Sequence, residues 1–198
     1  MVGNKGAVGI SFTFGATIFA FINCHLAARA ERKAKRTEMY HVISKMLNLG
    51  KKHKFGSFDL PYRFHHLFWI GDLNYRLDCK YQDVLEKIKL EYYGAMLLFD
   101  QLGHEKEEGR IFLDFKEGEI MFPPTYRYKR GSRSEYTYIK EKTTGNVYNI
   151  PSYCDRVLTH SFPEILHKQK SYACNLHFTG SDHAPVFATY DIGELYIE

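Results

Sequence analysis

Apolar and polar positions follow two different periods along this chain. Val8, Ile10, Phe12 and Phe14 alternate with Gly9, Ser11 and Thr13, which predicts a half-buried strand. After a short turn at Gly15-Ala16-Thr17, Ile18 to Ile22 predict a second strand, so residues 7 to 23 read as a hairpin closed by Asn23-Cys24-His25-Leu26. A basic segment follows (Arg29, Arg32, Lys33, Lys35, Arg36), and Met39, Val42, Ile43, Met46 and Leu47 then recur at helical spacing. Residues 30 to 49 therefore predict one amphipathic helix with a charged first half, stopped at Gly50. Residues 51 to 63 read as a polar connection, and residues 66 to 71 as a buried strand. Tyr81, Val84, Leu85 and Ile88 mark a second helix, with a third over residues 92 to 102. Ile111 to Phe115 and Ile120 to Phe122 read as short strands or edges before the break at Pro123-Pro124. Residues 129 to 149 are charged and read as a long exposed loop, a kind of segment that often carries function. Asp155 to Thr159, Leu176 to Thr179 and Ala184 to Ile192 predict further strands. Strands and helices interleave, which places the chain in the α/β class with mixed strand directions.

Composition narrows this picture. The chain has 198 residues, 44% of them apolar and 16% aromatic, enough for one domain with a substantial core. A net charge of +4 biases it mildly toward anionic partners such as phosphates or an acidic membrane face. That charge is too small to mark a nucleic-acid binder by itself. Cys24, Cys79, Cys154 and Cys174 are widely spaced and form no zinc pattern or disulfide framework, which reads as reduced thiols in an intracellular protein. No apolar stretch reaches the length of a membrane span. The opening residues Val2-Gly3-Asn4-Lys5-Gly6 look like a loop entering a strand, as though the chain starts inside a larger domain.

The most informative stretch is Phe68-Trp69-Ile70-Gly71-Asp72-Leu73-Asn74-Tyr75-Arg76. Asp72 and Asn74 leave a strand end two residues apart, so their side chains share a face. Asp can take a proton from water, and Asn can hold a phosphate oxygen without changing charge. Taken alone, the stretch also reads as a strand followed by an Asx turn. His25 alone reads as a structural histidine, Asp155-Arg156 as an ion pair, and Ser181-Asp182-His183 as a capping turn. Together, they place Asp, Asn and His at several strand ends, where α/β sheets put their sites. Such a cluster, without Cys ligands, suits a hard cation such as magnesium and a phosphate. No GxSxG elbow supports a serine triad. Cys154-Asp155-Arg156 lacks the Gly-rich loop of a cysteine phosphatase, and Gly3-Asn4-Lys5-Gly6 is too short for a Walker loop.

Six stretches occur in a telling order: Gly3-Asn4-Lys5-Gly6-Ala7-Val8, Asn23-Cys24-His25-Leu26, Trp69 to Arg76, Pro124-Thr125-Tyr126-Arg127-Tyr128, Pro151 to Val157, and Ser181-Asp182-His183-Ala184-Pro185-Val186. Together they resemble the inositol polyphosphate 5-phosphatases, within the DNase I-like endonuclease/exonuclease/phosphatase superfamily. Arg130-Gly131-Ser132-Arg133 and Lys142-Thr143-Thr144-Gly145 look most like the SH2-domain-containing subgroup, which acts on phosphatidylinositol 3,4,5-trisphosphate. The resemblance runs from about residue 2 to 192. It implies a two-sheet α/β sandwich with outer helices, and a Mg2+-dependent phosphatase that removes the 5-phosphate of a phosphoinositide or a soluble inositol polyphosphate and is cytoplasmic and peripheral at membranes.

The resemblance also implies roles. Asp72 would activate the attacking water, Asn74 would orient the phosphate, and His183 would contact it, its tautomer held by Asp155. His25 would bind a phosphate oxygen, and Asp182 would support the metal. Tyr75, Arg76, Tyr126 and Arg127 would grip neighbouring inositol phosphates, with Asn4 and Lys5 near the entrance. Tyr153 stands where the family usually has Trp. The family's domain is longer, and the resemblance implies that residues 1–198 are its C-terminal part, with the Glu that ligates magnesium preceding Met1 and apolar sheet surface left uncovered. Two rivals stay open: an endonuclease of the same superfamily, although no nucleic-acid partner is expected, and a non-catalytic phosphoinositide binder acting through Arg29 to Arg36 and Lys129 to Arg133.

Overall fold

The computed structural model describes residues 3–49, 58–137, 139–140, 147–193 and 195. The expected hairpin forms: β1 (Gly6–Phe14) and β2 (Thr17–His25) pair antiparallel, with Gly6 opposite His25. The helix α1 (Lys33–Met46) follows a single 3-10 turn, and Leu47 already has extended backbone; the expected stop at Gly50 lies outside the described residues. β3 (His66–Asp72) pairs parallel with β2 and antiparallel with β7 (Asp155–Ser161). With β4 (Lys116–Glu117) these strands make one sheet in the order β1-β2-β3-β7-β4. A second sheet pairs β8 (His167–Cys174) with β9 (Val186–Ile192), and a small ladder pairs β5 (Ile139–Lys140) with β6 (Val147–Tyr148).

Alternation sorts the large sheet into two faces. Leu67 and Trp69 point toward α1 and pack with Tyr40, Ile43 and Phe112 in the main core. Phe68 and its row point the other way. On that side Phe12, Phe21 and Phe68 stack in sequence at 6.0 and 4.8 Å, and Phe68 meets Tyr190 of β9 at 5.3 Å. A cavity of about 650 Å3 runs between the two sheets from Phe12 to Asp72 and Asp155.

Several expectations need correction. The apolar face of β1 is not half-buried: Val8, Ile10, Phe12 and Phe14 are exposed, while Ala7 and Gly9 turn inward, where Leu47 and Leu49 pack. Residues 92 to 102 form no single helix. They hold α3 (Tyr93–Leu97) and the start of α4 (Gln101–Glu107), after α2 (Tyr81–Lys89). Asp100 makes the break, its side chain capping α4 by accepting from Gly103 N at 3.2 Å. Ile111 to Phe115 and Ile120 to Phe122 are core-packed irregular chain, and the expected strand at Leu176 to Thr179 is irregular too. Its place in the sheet is taken by β8. Residues 129 to 149 are less open than a bare loop, because they contain the β5–β6 ladder; residues 138 and 141–146 lie outside the described residues.

At the ends of these strands opposite Asp72 and Asp155, His66 on β3 faces His167 on β8, Nδ1 to Nδ1 at 3.2 Å, with Ser161 Oγ 2.7 Å from His66 Nδ1. Burial pushes both imidazoles down, and His66 adds to this for His167, which falls to about 4. The unfolded chain binds the His167 proton near pH 6.5 and the folded chain only near 4, so this contribution to stability is full above 6.5 and declines as pH falls between the two. His167→Phe is expected to flatten that decline in denaturant titrations run at a series of pH values. Equal slopes for variant and parent would remove His167 as the cause.

Candidate functional site

Register brings the site together. His25 of β2 pairs with Asp72 of β3, and Asp72 pairs with Asp155 of β7, so three functional groups occupy one row across three adjacent strands. His25 Nε2 stands 3.0 Å from Asp72 Oδ2. Gly71 makes the close approach feasible. Its φ is +123°, and a Cβ there would lie 2.1 Å from the carbonyl oxygen of Cys24.

Past β3 the chain keeps alternating. Leu73 and Tyr75 turn into the core and are 0% exposed, while Asn74 and Arg76 turn toward the site. Asn74 has φ +56°, a conformation Asn tolerates better than most residues. Its backbone N–H donates to Asp72 Oδ1 at 3.0 Å, its Nδ2 donates to Asp72 Oδ2 at 2.9 Å and to Leu26 O at 3.1 Å, and its Oδ1 accepts from Arg76 Nη2 at 2.8 Å. Both ends of this amide are thus engaged within the protein, and Asn74 braces the Asp72 carboxylate. Arg76 is buried, clamped on Asn74, with its guanidinium 4.6 Å over the Tyr126 ring. Tyr75 does not line the cleft: it lies on the opposite face beneath Arg36, 4.9 Å from ring to guanidinium.

The second half of the site comes from irregular chain. His183 Nδ1 lies 2.9 Å from Asp155 Oδ2, as expected, and the Tyr126 ring packs 4.4 Å from its imidazole. The buried Thr125 hydroxyl donates to Asp155 Oδ2 at 2.6 Å, a contact that sequence reasoning missed although Pro124-Thr125 was in view. Lys5 Nζ contacts His25 Nε2, and Asn4 is exposed beside it. Asp182 stands apart from the Asp72 group. Its Oδ2 accepts from Arg127 Nε at 3.2 Å and its Oδ1 lies 3.7 Å from Arg130, so two arginines hold the carboxylate expected to support a metal.

The electrostatics follow from this packing. Burial pushes the Asp72 carboxyl up and Asp155's charge pushes it further, partly offset by His183, His25 and Arg76. His183 is pushed down by burial, but its hydrogen bond to Asp155 and the surrounding carboxylates win, and its pKa lies above the ordinary value. Burial lowers Lys5. A carboxylate that binds a proton more readily thus faces an imidazole that releases one less readily. Asp72, Asp155 and His183 each offer a ligand atom, all within 4.8 Å of one another, and the two carboxylates supply the oxygen donors a hard divalent cation prefers.

The basic segments are less free than their charge suggests. Arg36 is 0% exposed and donates to the carbonyls of Ala27 and Arg29 and to Gln101 Oε1, which also accepts from Arg76 N at 3.1 Å. Lys33 pairs with Glu105 and Lys35 with Glu38. All four cysteines are free thiols, and no helix among the described residues is long and apolar enough to cross a membrane.

The chain matches Endonuclease/Exonuclease/phosphatase family 2 over residues 1–189. It is 49% identical over 192 residues to phosphatidylinositol 3,4,5-trisphosphate 5-phosphatase 2 of Sus scrofa, covering 97% of this chain and 15% of the relative. It is also 49% identical over 195 residues to phosphatidylinositol 3,4,5-trisphosphate 5-phosphatase 1 of Xenopus laevis, covering 97% and 19%. The chain thus spans less than a fifth of the length of these relatives. Among solved structures, the inositol polyphosphate 5-phosphatase domain of SPsynaptojanin, in complex with inositol (1,4)-bisphosphate and calcium ion, matches with a TM-score of 0.76 at 30% identity, covering 95% of this chain and 51% of that one. A Cimex nitrophorin matches with a TM-score of 0.72 at 22% identity, covering 96% and 60%, a likeness of fold alone. The two-sheet α/β architecture read from the sequence is therefore that of a solved inositol 5-phosphatase domain.

Proposed function

The chain belongs to Endonuclease/Exonuclease/phosphatase family 2, and from this footing we propose that it hydrolyses the 5-phosphate of a phosphorylated inositol, phosphatidylinositol 3,4,5-trisphosphate first among its substrates. One observation carries the reading: His25, Asp72 and Asp155 share a row, and His183 closes it, in a chain 49% identical to a 5-phosphatase of that lipid.

Asp72 acts as general base. Burial raises its proton affinity, and Asn74 fixes both of its oxygens so that it meets the attacking water without rearranging. His183 bears on the scissile phosphate, its Nδ1 held by Asp155 and Asp155 held by Thr125. Lys5 and His25 add positive character at the rim. Tyr126, flanked by Arg76 and His183, is the surface against which the inositol ring sits, and Arg127 lies beside a neighbouring phosphate. Mg2+ would be held at this cluster through a carboxylate oxygen of Asp155, leaving Asp72 to take the proton. When bound, that ion supplies neutralisation of the dianionic ester. The protein would meet its lipid as a peripheral, cytoplasmic enzyme.

The test is release of inorganic phosphate from vesicles carrying the trisphosphate lipid, set against nicking of plasmid DNA under the same conditions. Phosphate release that stops with a chelator and returns with Mg2+ is expected. Nicking without phosphate release would replace the proposal with the endonuclease reading.

A further inference from the structure

Four carbonyl oxygens converge on one guanidinium beside the site. Arg133 Nη1 donates to Ser132 O at 3.1 Å and to Ser181 O at 3.0 Å; its Nη2 donates to His183 O at 2.8 Å and to Phe178 O. The guanidinium lies 4.8 Å over the Tyr128 ring. The chain it grips, residues 175–185, has neither strand nor helix. Irregular backbone has no ladder to satisfy its carbonyls, and those of Ser181 and His183 are partly buried, so a side chain must serve them. Here three of them are taken up by a single side chain, and one belongs to His183 itself. Arg133 therefore belongs to the fold of the site and is not a free charge of the basic run. Its neighbours are spent as well: Lys129 pairs with Glu135, and Arg130 leans on Asp182.

Resting on the phosphatase reading, we propose that Arg133 is a positioning residue that sets the His183 imidazole against Asp155 and Tyr126. Its hydrogen bond to His183 goes to the carbonyl, so it acts through the backbone. Other ties hold the loop's flanks: Gly131 N donates to Thr179 O at 3.0 Å, Tyr128 N to Asp182 O at 2.9 Å, and Ala184 N to Thr125 O at 2.8 Å. Removing Arg133 leaves the loop attached but lets His183 wander between those ties. A guanidinium suits this task because its planar fork aims several donors at once, whereas an ammonium concentrates three donors on one atom.

The experiment compares Arg133→Ala, Arg133→Lys and the parent in phosphate release, and follows the His183 ring resonances by NMR. Arg133→Ala is expected to lower kcat by about 10- to 100-fold, the scale of a misplacement near 1 Å, with KM changed less than about 3-fold. Arg133→Lys recovers part of kcat, and guanidinium ion added to Arg133→Ala recovers more. The His183 resonance shifts and broadens in Arg133→Ala. A raised KM with unchanged kcat would make Arg133 a substrate contact and overturn the proposal. So would a lowered Tm with kcat and the resonance intact. If the parent releases no phosphate, the phosphatase reading fails, yet the His183 resonance still decides the positioning role: unchanged in Arg133→Ala, it overturns it.

Discussion

Asp72→Asn lowers phosphate release by about 10²- to 10⁴-fold, the usual worth of a positioned general base, while the melting temperature stays near the parent's. The two halves of this result have one origin. Burial and the nearby Asp155 raise the Asp72 pKa, so its ionised form is disfavoured in the folded protein. Near neutral pH the folded state bears a penalty that the unfolded state does not. An amide of the same shape carries no charge and removes that penalty, which offsets the hydrogen bond lost where its NH2 meets a donor of Asn74. It also cannot take a proton from water, so the rate collapses. Initial rates of phosphate release and thermal unfolding followed by circular dichroism, on the same preparations, check both halves. A rate within tenfold of the parent would falsify the base assignment.

Arg156→Met costs about 3–5 kcal/mol of stability, because it strands the buried Asp100 carboxylate and takes from the partly buried Glu117 its cationic partner. Arg156 Nη1 donates to Asp100 Oδ2 at 2.7 Å, while its Nε and Nη2 reach the two oxygens of Glu117, each at 2.7 Å. The Arg156 and Asp100 side chains are 4% and 2% exposed. Burial alone pushes the Asp100 carboxyl up, and the guanidinium beside it opposes that push. For a chain of this size the expected drop in Tm is on the order of 10 °C. The triple change Asp100→Asn, Glu117→Gln and Arg156→Met is expected to recover much of the loss, since it leaves no unpaired charge. Chemical denaturation distinguishes the two variants. A single variant losing under about 1 kcal/mol would mean that water reaches the carboxylates.

Periodicity located most of the scaffold, and its failures have identifiable causes. β3, α2 and β7 follow from apolar spacing because each lays a stripe against the core; α1 forms where expected, but Val42 and Met46 of its apolar stripe are exposed and Arg36, Tyr40 and Ile43 are buried instead. β8 was missed because His167-Lys168-Gln169-Lys170 has no apolar face; its partner β9 makes it a strand. On β1 the alternation was legible, but which face is covered depends on neighbours that the strand's own residues do not encode. Two site errors were avoidable. Asp72, Asn74 and Arg76 share one parity and Tyr75 the other, so the same rule that paired Asp72 with Asn74 sends Tyr75 to the core. Arg36 stands four residues before Tyr40 and seven before Ile43, on the helix stripe that turned out to be buried. Thr125 and Arg133 were harder to see. Each acts through a contact with residues about 30 to 50 positions away, and local spacing carries no sign of such partners.

The shared row of His25, Asp72 and Asp155 works like a vernier with three scales. Inserting or deleting one residue inside β2, β3 or β7 would carry that strand's functional group to the far side of the sheet and bring up a core side chain in its stead. Length changes in the connecting segments leave the alignment alone. Variation in this chain is therefore expected to be tolerant in turns that carry no site residue and unforgiving, to the single residue, within those three strands.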